Sequence, residues 1–159
     1  MKKLYYVLAI VLLASCATVN KMTLPFLSGK IGWEVEVPIS NKSLTYQKII
    51  QYVSLKYIPR KIRTQDKDNG IITVVDNSDY LYKGKKRNMN YTLYFIIKEN
   101  TCFIRVSDIF IRHHDLELLY TQYQEKRKEI KKLSEAFESI KEQSKIILDT
   151  MQKEIFEGE

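Results

Sequence analysis

Glycine, proline, cysteine and histidine are all scarce in this chain. Its 159 residues include five glycines, three prolines, two cysteines and two histidines. Five scattered glycines leave no glycine-rich loop of the kind that cradles phosphates. The two histidines are neighbours, His113 and His114. Neighbours on an extended chain point to opposite sides, and zinc wants four ligands, or three and a water. Neither a metal nor any other cofactor is expected. The N-terminal apolar run, Leu4 to Ala14, is eleven residues long, whereas a helix spanning a bilayer needs about 20. A retained membrane helix is therefore excluded for this segment.

Paired carboxylates are equally thin. Glu34 and Glu36 share one face of a predicted strand, but it is the face opposite Trp33 and reads as the solvated side. Asp66 and Asp68 precede Gly70 in a turn that lacks the later glutamate of a calcium loop. No catalytic residue is assigned, and the chain is read as non-enzymatic.

What the sequence does hold begins at its N-terminus. Met1-Lys2-Lys3 is a basic start, the apolar run follows, and Ala14-Ser15 are small residues before Cys16. This is the layout of a secretory signal peptide, and Leu13-Ala14-Ser15-Cys16 resembles the lipobox of bacterial lipoproteins. The resemblance implies a diacylglycerol on the Cys16 sulfur, cleavage after Ser15 and acylation of the new amine. More than one acyl chain makes such an anchor stable, at about 0.8 kcal/mol per buried methylene. Ala17 follows Cys16 in place of the aspartate that holds many lipoproteins at the inner membrane. The outer membrane, periplasmic face, is the expected address. With Cys16 modified, Cys102 is the one thiol left, so no internal disulfide forms. Cys102 lies in an apolar strand pattern and reads as a buried structural thiol.

Residues 16–30 read as the lipidated cysteine and a tether, 31–112 as the folded body, 113–157 as a helical segment and 158–159 as a tail. In the body, Trp33, Val35 and Val37 alternate with Glu34 and Glu36 up to Pro38, the pattern of a half-buried strand. Ser40 and Asn41 are helix caps, and Tyr46, Ile49, Ile50, Val53 and Tyr57 follow at helical spacing until Pro59. A short strand at Lys61 to Arg63, a turn at Asp66 to Gly70 and an apolar run at Ile71 to Val75 come next, then a turn within Tyr80 to Arg87. The longest strand signals are Asn90 to Lys98 and Thr101 to Arg112, joined by Glu99-Asn100. Ile104 and Val106 keep one phase and Ile109 and Ile111 the other, which predicts a bulge at Ser107-Asp108.

Taken in order, these elements predict an α+β fold. The residues that carry it, Gly32 to Val37, Asp66 to Ile72, Tyr91 to Lys98 and Phe103 to Ile109, resemble the domain of unknown function with a TATA-binding-protein-like fold found in secreted and lipoprotein-type proteins of Gram-negative envelopes. The resemblance covers residues 24 to 112. It implies β-α-β-β-β(-β)-α, a curved antiparallel sheet with helices on one face and a long C-terminal helix or helix pair. The family has no established activity, so it supplies no site residues.

Two surfaces are candidate sites. Lys83, Lys85, Lys86 and Arg87 form a basic turn suited to an anionic lipid or glycan surface. Basic residues beside Tyr80 and Tyr82 superficially suit nucleic acid, but an exported protein meets little of it, and no nucleic-acid partner is expected. The second surface is the apolar seam Leu133, Phe137, Ile140, Ile147 and Met151. One straight helix from Asp115 to Phe156 would run about 63 Å, against about 40 Å for a twelve-residue strand. The helix then breaks near Lys131 to Glu135 or overhangs the sheet; a docked seam is the first reading and joins the core, while an overhang offers it to a protein partner or a second copy. The partners expected are thus a membrane, through the lipid, and a protein, through the C-terminal helix; the chain reads first as a protein-interaction module of the envelope, with a domain that contacts anionic lipid or glycan through the basic turn as the alternative.

The lipobox reading is checked by metabolic labelling with a clickable palmitate analogue in cells expressing the protein. Label should be incorporated in the wild type and vanish in Cys16→Ala, which should also move to the soluble fraction.

Overall fold

A computed structural model describes residues 32–111, 114–115 and 130–157. Strand β1 (Trp33–Pro38) leads into helix α1 (Lys42–Lys56) and a 3-10 turn (Pro59–Lys61). Strands β2 (Ile62–Asp66), β3 (Ile71–Tyr82), β4 (Lys85–Ile97) and β5 (Thr101–Ile111) follow, then the two-residue β6 (His114–Asp115). Helix α2 (Ile130–Gln152) closes the order with a π-helical turn (Lys153–Glu157). The sheet is antiparallel in the order β1-β5-β4-β3-β2, with β6 on the end of β5. The α+β class read from the sequence is the class observed.

Alternation sets the two faces of this sheet. Trp33, Val35, Ile72, Val74, Leu93, Phe95, Ile104 and Val106 lie on one face and are almost wholly removed from water. Each such side chain contributes roughly 1.5–3 kcal/mol when fully buried. Both helices pack on that face: Tyr46, Ile49 and Val53 of α1 and Ile140, Ile147, Leu148 and Met151 of α2 belong to the same core. Helix α1 starts where Asn41 Oδ1 accepts from Leu44 N at 3.0 Å, which satisfies a donor the first turn leaves open. It ends at Tyr57, which is extended at φ −118° and donates its own N–H back to Val53 O.

The expected bulge is present. Pairing shifts between Asn90 and Thr92, and Asp108 opposite the shift has φ +49°. Ile109 and Ile111 thereby return to the core face. Pro38 ends β1 at an edge. Ile39 N–H donates inward to Asn100 O at 3.1 Å, so the neighbouring Pro38 falls where an N–H would point away from the sheet and costs no ladder bond.

Two expectations are corrected, and of the two readings of the seam the docked one is observed over the described residues. Strand β4 begins at Lys85, not Asn90, because the polar stretch Lys85 to Asn90 pairs residue by residue with Tyr82 to Asn77; backbone pairing holds it without an apolar face. Asp115 belongs to β6, paired with Phe110, and not to a helix. The seam is not exposed over the described residues. Ile140 is fully buried, Ile147 and Met151 nearly so, and the Phe137 ring sits 5.5 Å from that of Trp33. The side chain of Leu133 lies outside the described residues. The seam docks because, among the described residues, nothing else covers the β1 and β3 ends of the sheet, and the hydrophobic term rewards that closure. Cys16, the tether, residues 116–129 and the His113 position also lie outside the described residues.

Gly70 marks the tightest approach in the β2–β3 turn. Its φ is +67°, its carbonyl accepts from Ile97 N at 2.8 Å, and an added Cβ would meet Ile97 O at 2.3 Å. Gly70→Ala should destabilise the domain by about 3 kcal/mol, strain and clash together. Urea unfolding followed by tryptophan fluorescence measures this, since Trp33 is the one tryptophan and is fully buried.

Candidate functional site

The β3–β4 hairpin outgrows the rest of the sheet. Strands β3 and β4 pair from Ile71 and Ile96 out to Tyr82 and Lys85, while β5 accompanies β4 only as far as Met89. Among the described residues, 79–88 therefore form a two-stranded extension. Lys83 and Gly84 close it with φ of +51° and +71°, the positive pair that a two-residue type I′ turn requires. Turn chemistry alone would choose Asn-Gly or Asp-Gly here. A lysine at the first position carries a left-handed cost of roughly 1–2 kcal/mol.

The four basic residues expected to act together do not share one surface. Lys85 faces Tyr82 and Arg87 faces Tyr80 across the ladder, so both lie on the helix-bearing side; Lys86 pairs with Leu81 on the opposite side. Lys83, Lys85 and Lys86 are exposed. Arg87 is half-buried, and its Nε has no hydrogen-bond partner. Lys83 Nζ stands 5.4 Å over the Tyr82 ring, a cation–π contact that leaves the ammonium in solvent. Leu81, between them, is 61% exposed. The tip is thus one apolar side chain among three lysines that make no ion pair among the described residues. The lysines were legible in the sequence. Leu81 was not, because only the extension beyond β5 puts it in water.

Elsewhere on the polar face of the sheet several side chains meet one another. Glu34 is not solvated as expected: its Oε2 lies 3.2 Å from Arg105 Nε, with the Glu34 side chain 11% exposed. The approach is at ion-pair distance but off the hydrogen-bond line. Thr101 Oγ1 donates to Glu36 at 3.0 Å, and the Tyr94 hydroxyl donates to Asp108. Burial and that bond push the Tyr94 hydroxyl up to about 12.

A second polar cluster, which the sequence did not disclose, stitches α1 to the end of α2. Tyr52 donates to Glu154, which also pairs with Lys56. Across the core, Tyr91 donates to Asp76 Oδ2 at 3.3 Å, while Lys61 Nζ holds Asp76 Oδ1 at 2.5 Å. Burial first, then the neighbouring carboxylates, raise the hydroxyl pKa values of Tyr52, Tyr57 and Tyr91. Hydrogen bonds from Lys56 and Tyr52 lower that of Glu154. Burial pushes the Cys102 thiol up to about 12. Every displaced group described here moves away from neutrality. The cluster ties α1 to the turn that follows α2.

Lys83→Asn, which keeps the type I′ turn and relieves the left-handed lysine, should stabilise the domain by about 0.5–1 kcal/mol. Paired urea unfolding curves of the two proteins measure it.

No protein-family model and no curated protein matches the sequence. In structure, the chain is similar over 59% of its length to a DUF4468 family protein from Bacteroides ovatus, at 16% identity and a TM-score of 0.47, the match taking in 65% of that chain. It is similar over 59% of its length to a TBP-like protein from Parabacteroides distasonis, at 19% identity and a TM-score of 0.48, the match taking in 70% of that chain.

Proposed function

We propose that this chain is a non-enzymatic, lipid-anchored module of a bacterial envelope whose hairpin tip rests on an anionic surface. The observation that carries the proposal is the tip itself: exposed Leu81 set among Lys83, Lys85 and Lys86, beyond the edge of the sheet and without counter-charges among the described residues. Each basic residue near an anionic bilayer contributes about 1 kcal/mol, and an apolar side chain that dips into the interface adds to it. The lipobox at Cys16 supports the membrane address, and Ala17 supports the outer membrane, periplasmic leaflet.

Anchor and tip act together through chain length. Residues 17–30, fully extended, reach at most about 50 Å. A domain held that close meets the membrane at high effective concentration, so a tip contact too weak to act alone becomes populated. The alternative of partner capture through the C-terminal seam loses its surface, because Ile140, Ile147 and Met151 are spent inside the core.

Cosedimentation of the unlipidated Cys16→Ala protein with vesicles tests the tip without the anchor. Binding to vesicles rich in phosphatidylglycerol should exceed binding to neutral phosphatidylcholine and fall as salt rises. Reversing Lys83, Lys85 and Lys86 to Glu should weaken it about 100-fold, the equivalent of roughly 3 kcal/mol. Unchanged binding after the reversal would exclude this reading.

A further inference from the structure

A second basic site lies at the opposite edge of the sheet, where β2 falls short of β3. Strand β2 begins at Ile62, opposite Val74, and β3 continues to Tyr82 without that neighbour. The 3-10 turn Pro59–Lys61 stands beside the bare stretch, held by Lys61 N–H donating to Ile58 O at 2.9 Å. Between them is an open cleft of about 300 Å³ lined by Arg60, Lys61, Arg63, Val75, Asp76, Asn77 and Asn90.

Local irregularity supplies its charges. Pairing shifts between Ile62 and Thr64, so Arg63 is the extra residue of a bulge, the device that re-aims a side chain off a ladder. Arg60 and Arg63 are exposed and form no ion pair among the described residues. Lys61 is occupied with Asp76, the one carboxylate of the cleft, which Tyr91 also contacts. The lining therefore keeps two guanidinium groups uncompensated. Asn77 and Asn90 are directly opposed across β3 and β4 and share a face, which brings their carboxamides within reach of one ligand.

These groups differ in what they recognise. Guanidinium groups take planar carboxylates and phosphates in a forked geometry, and carboxamides offer a donor and an acceptor each, as hydroxyl groups demand. The volume is at the lower end of ligand clefts and is larger than a bare oxyanion needs. We infer that this cleft binds an anionic monosaccharide unit, its carboxylate or phosphate on Arg60 and Arg63 and its hydroxyls on Asn77 and Asn90. The site is separate from the hairpin tip and stands or falls without it.

Amide chemical-shift titration of the Cys16→Ser protein, residues 16 to the C-terminus, tests this with four probes: glucuronic acid, glucose 6-phosphate, glucose and inorganic phosphate. Saturable shifts on Arg60 to Arg63, Val75 to Asn77 and Asn90 are expected with at least one of the two anionic sugars, and the pair separates a carboxylate ligand from a phosphate one. Glucose and inorganic phosphate should each bind about tenfold more weakly or not at all. Arg60→Gln and Arg63→Gln, both at exposed positions, should each weaken binding about tenfold, and Asn77→Ala with Asn90→Ala should erase the preference over inorganic phosphate. Lys83→Glu with Lys86→Glu should leave sugar binding unchanged. Failure of both anionic sugars to saturate any shift would overturn the inference, as would equal binding of inorganic phosphate or indifference to both arginine changes.

Discussion

One face of the sheet cannot meet water, and only two helices cover it among the described residues. Trp33, Leu93, Phe95, Ile104 and Val106 are stripped of solvent, and the cover over them comes from α1, near the start of the domain, and α2, at the far end of the chain. Helix α2 reaches Trp33 through Phe137 and β3 through Gln143, whose Nε2 donates to Ser78 Oγ at 3.0 Å. The beginning and end of the described chain are thereby made one core. The domain depends on that closure, since burial of apolar area is the dominant favourable term and the loss of chain entropy it must overcome is of similar size.

The same closure removes the most obvious interaction surface. An apolar stripe on a long helix invites a partner only while it is uncovered. Here Ser144 sits wholly buried within the stripe and Glu154 is clasped by Tyr52 and Lys56, so the polar interruptions of the seam also lie against this domain's own elements. The two binding places proposed among the described residues lie where the sheet outgrows its core: the hairpin extension past β5 and the bare edge of β3 past β2. Both arise from strands of unequal length. β3 and β4 have 12 and 13 residues, against five for β2 and 11 for β5. Mismatched lengths leave backbone and side chains beyond the packed layers, where binding groups can sit at little cost to the core.

The contacts proposed at these places are electrostatic. The displaced ionisations belong to tyrosines, one thiol and two hydrogen-bonded carboxylates, Asp66 clasped by Asn69 and Glu154 by its two donors. They record burial and bonding. Lys83, Lys85, Lys86, Arg60 and Arg63 are a different case, because they are exposed and form no ion pair among the described residues.

Periodicity in the sequence was sufficient for much of the architecture. Trp33, Val35 and Val37 announced their face by alternation, Tyr46, Ile49 and Val53 by helical spacing, and the phase slip from Val106 to Ile109 announced the bulge that Asp108 makes. These signals are local, each expressed within one turn or one strand, so they survive being read in one dimension. The partners could not be read that way. Whether Ile140 and Ile147 meet a sheet or a stranger, whether Glu34 is solvated or held by Arg105, and where Lys85 to Asn90 lie are questions of which segments are neighbours in space. The basic turn was visible as composition, but its division between two faces follows from ladder register. The Arg60 cleft left no trace in the sequence, because it exists only where one strand stops short of the next.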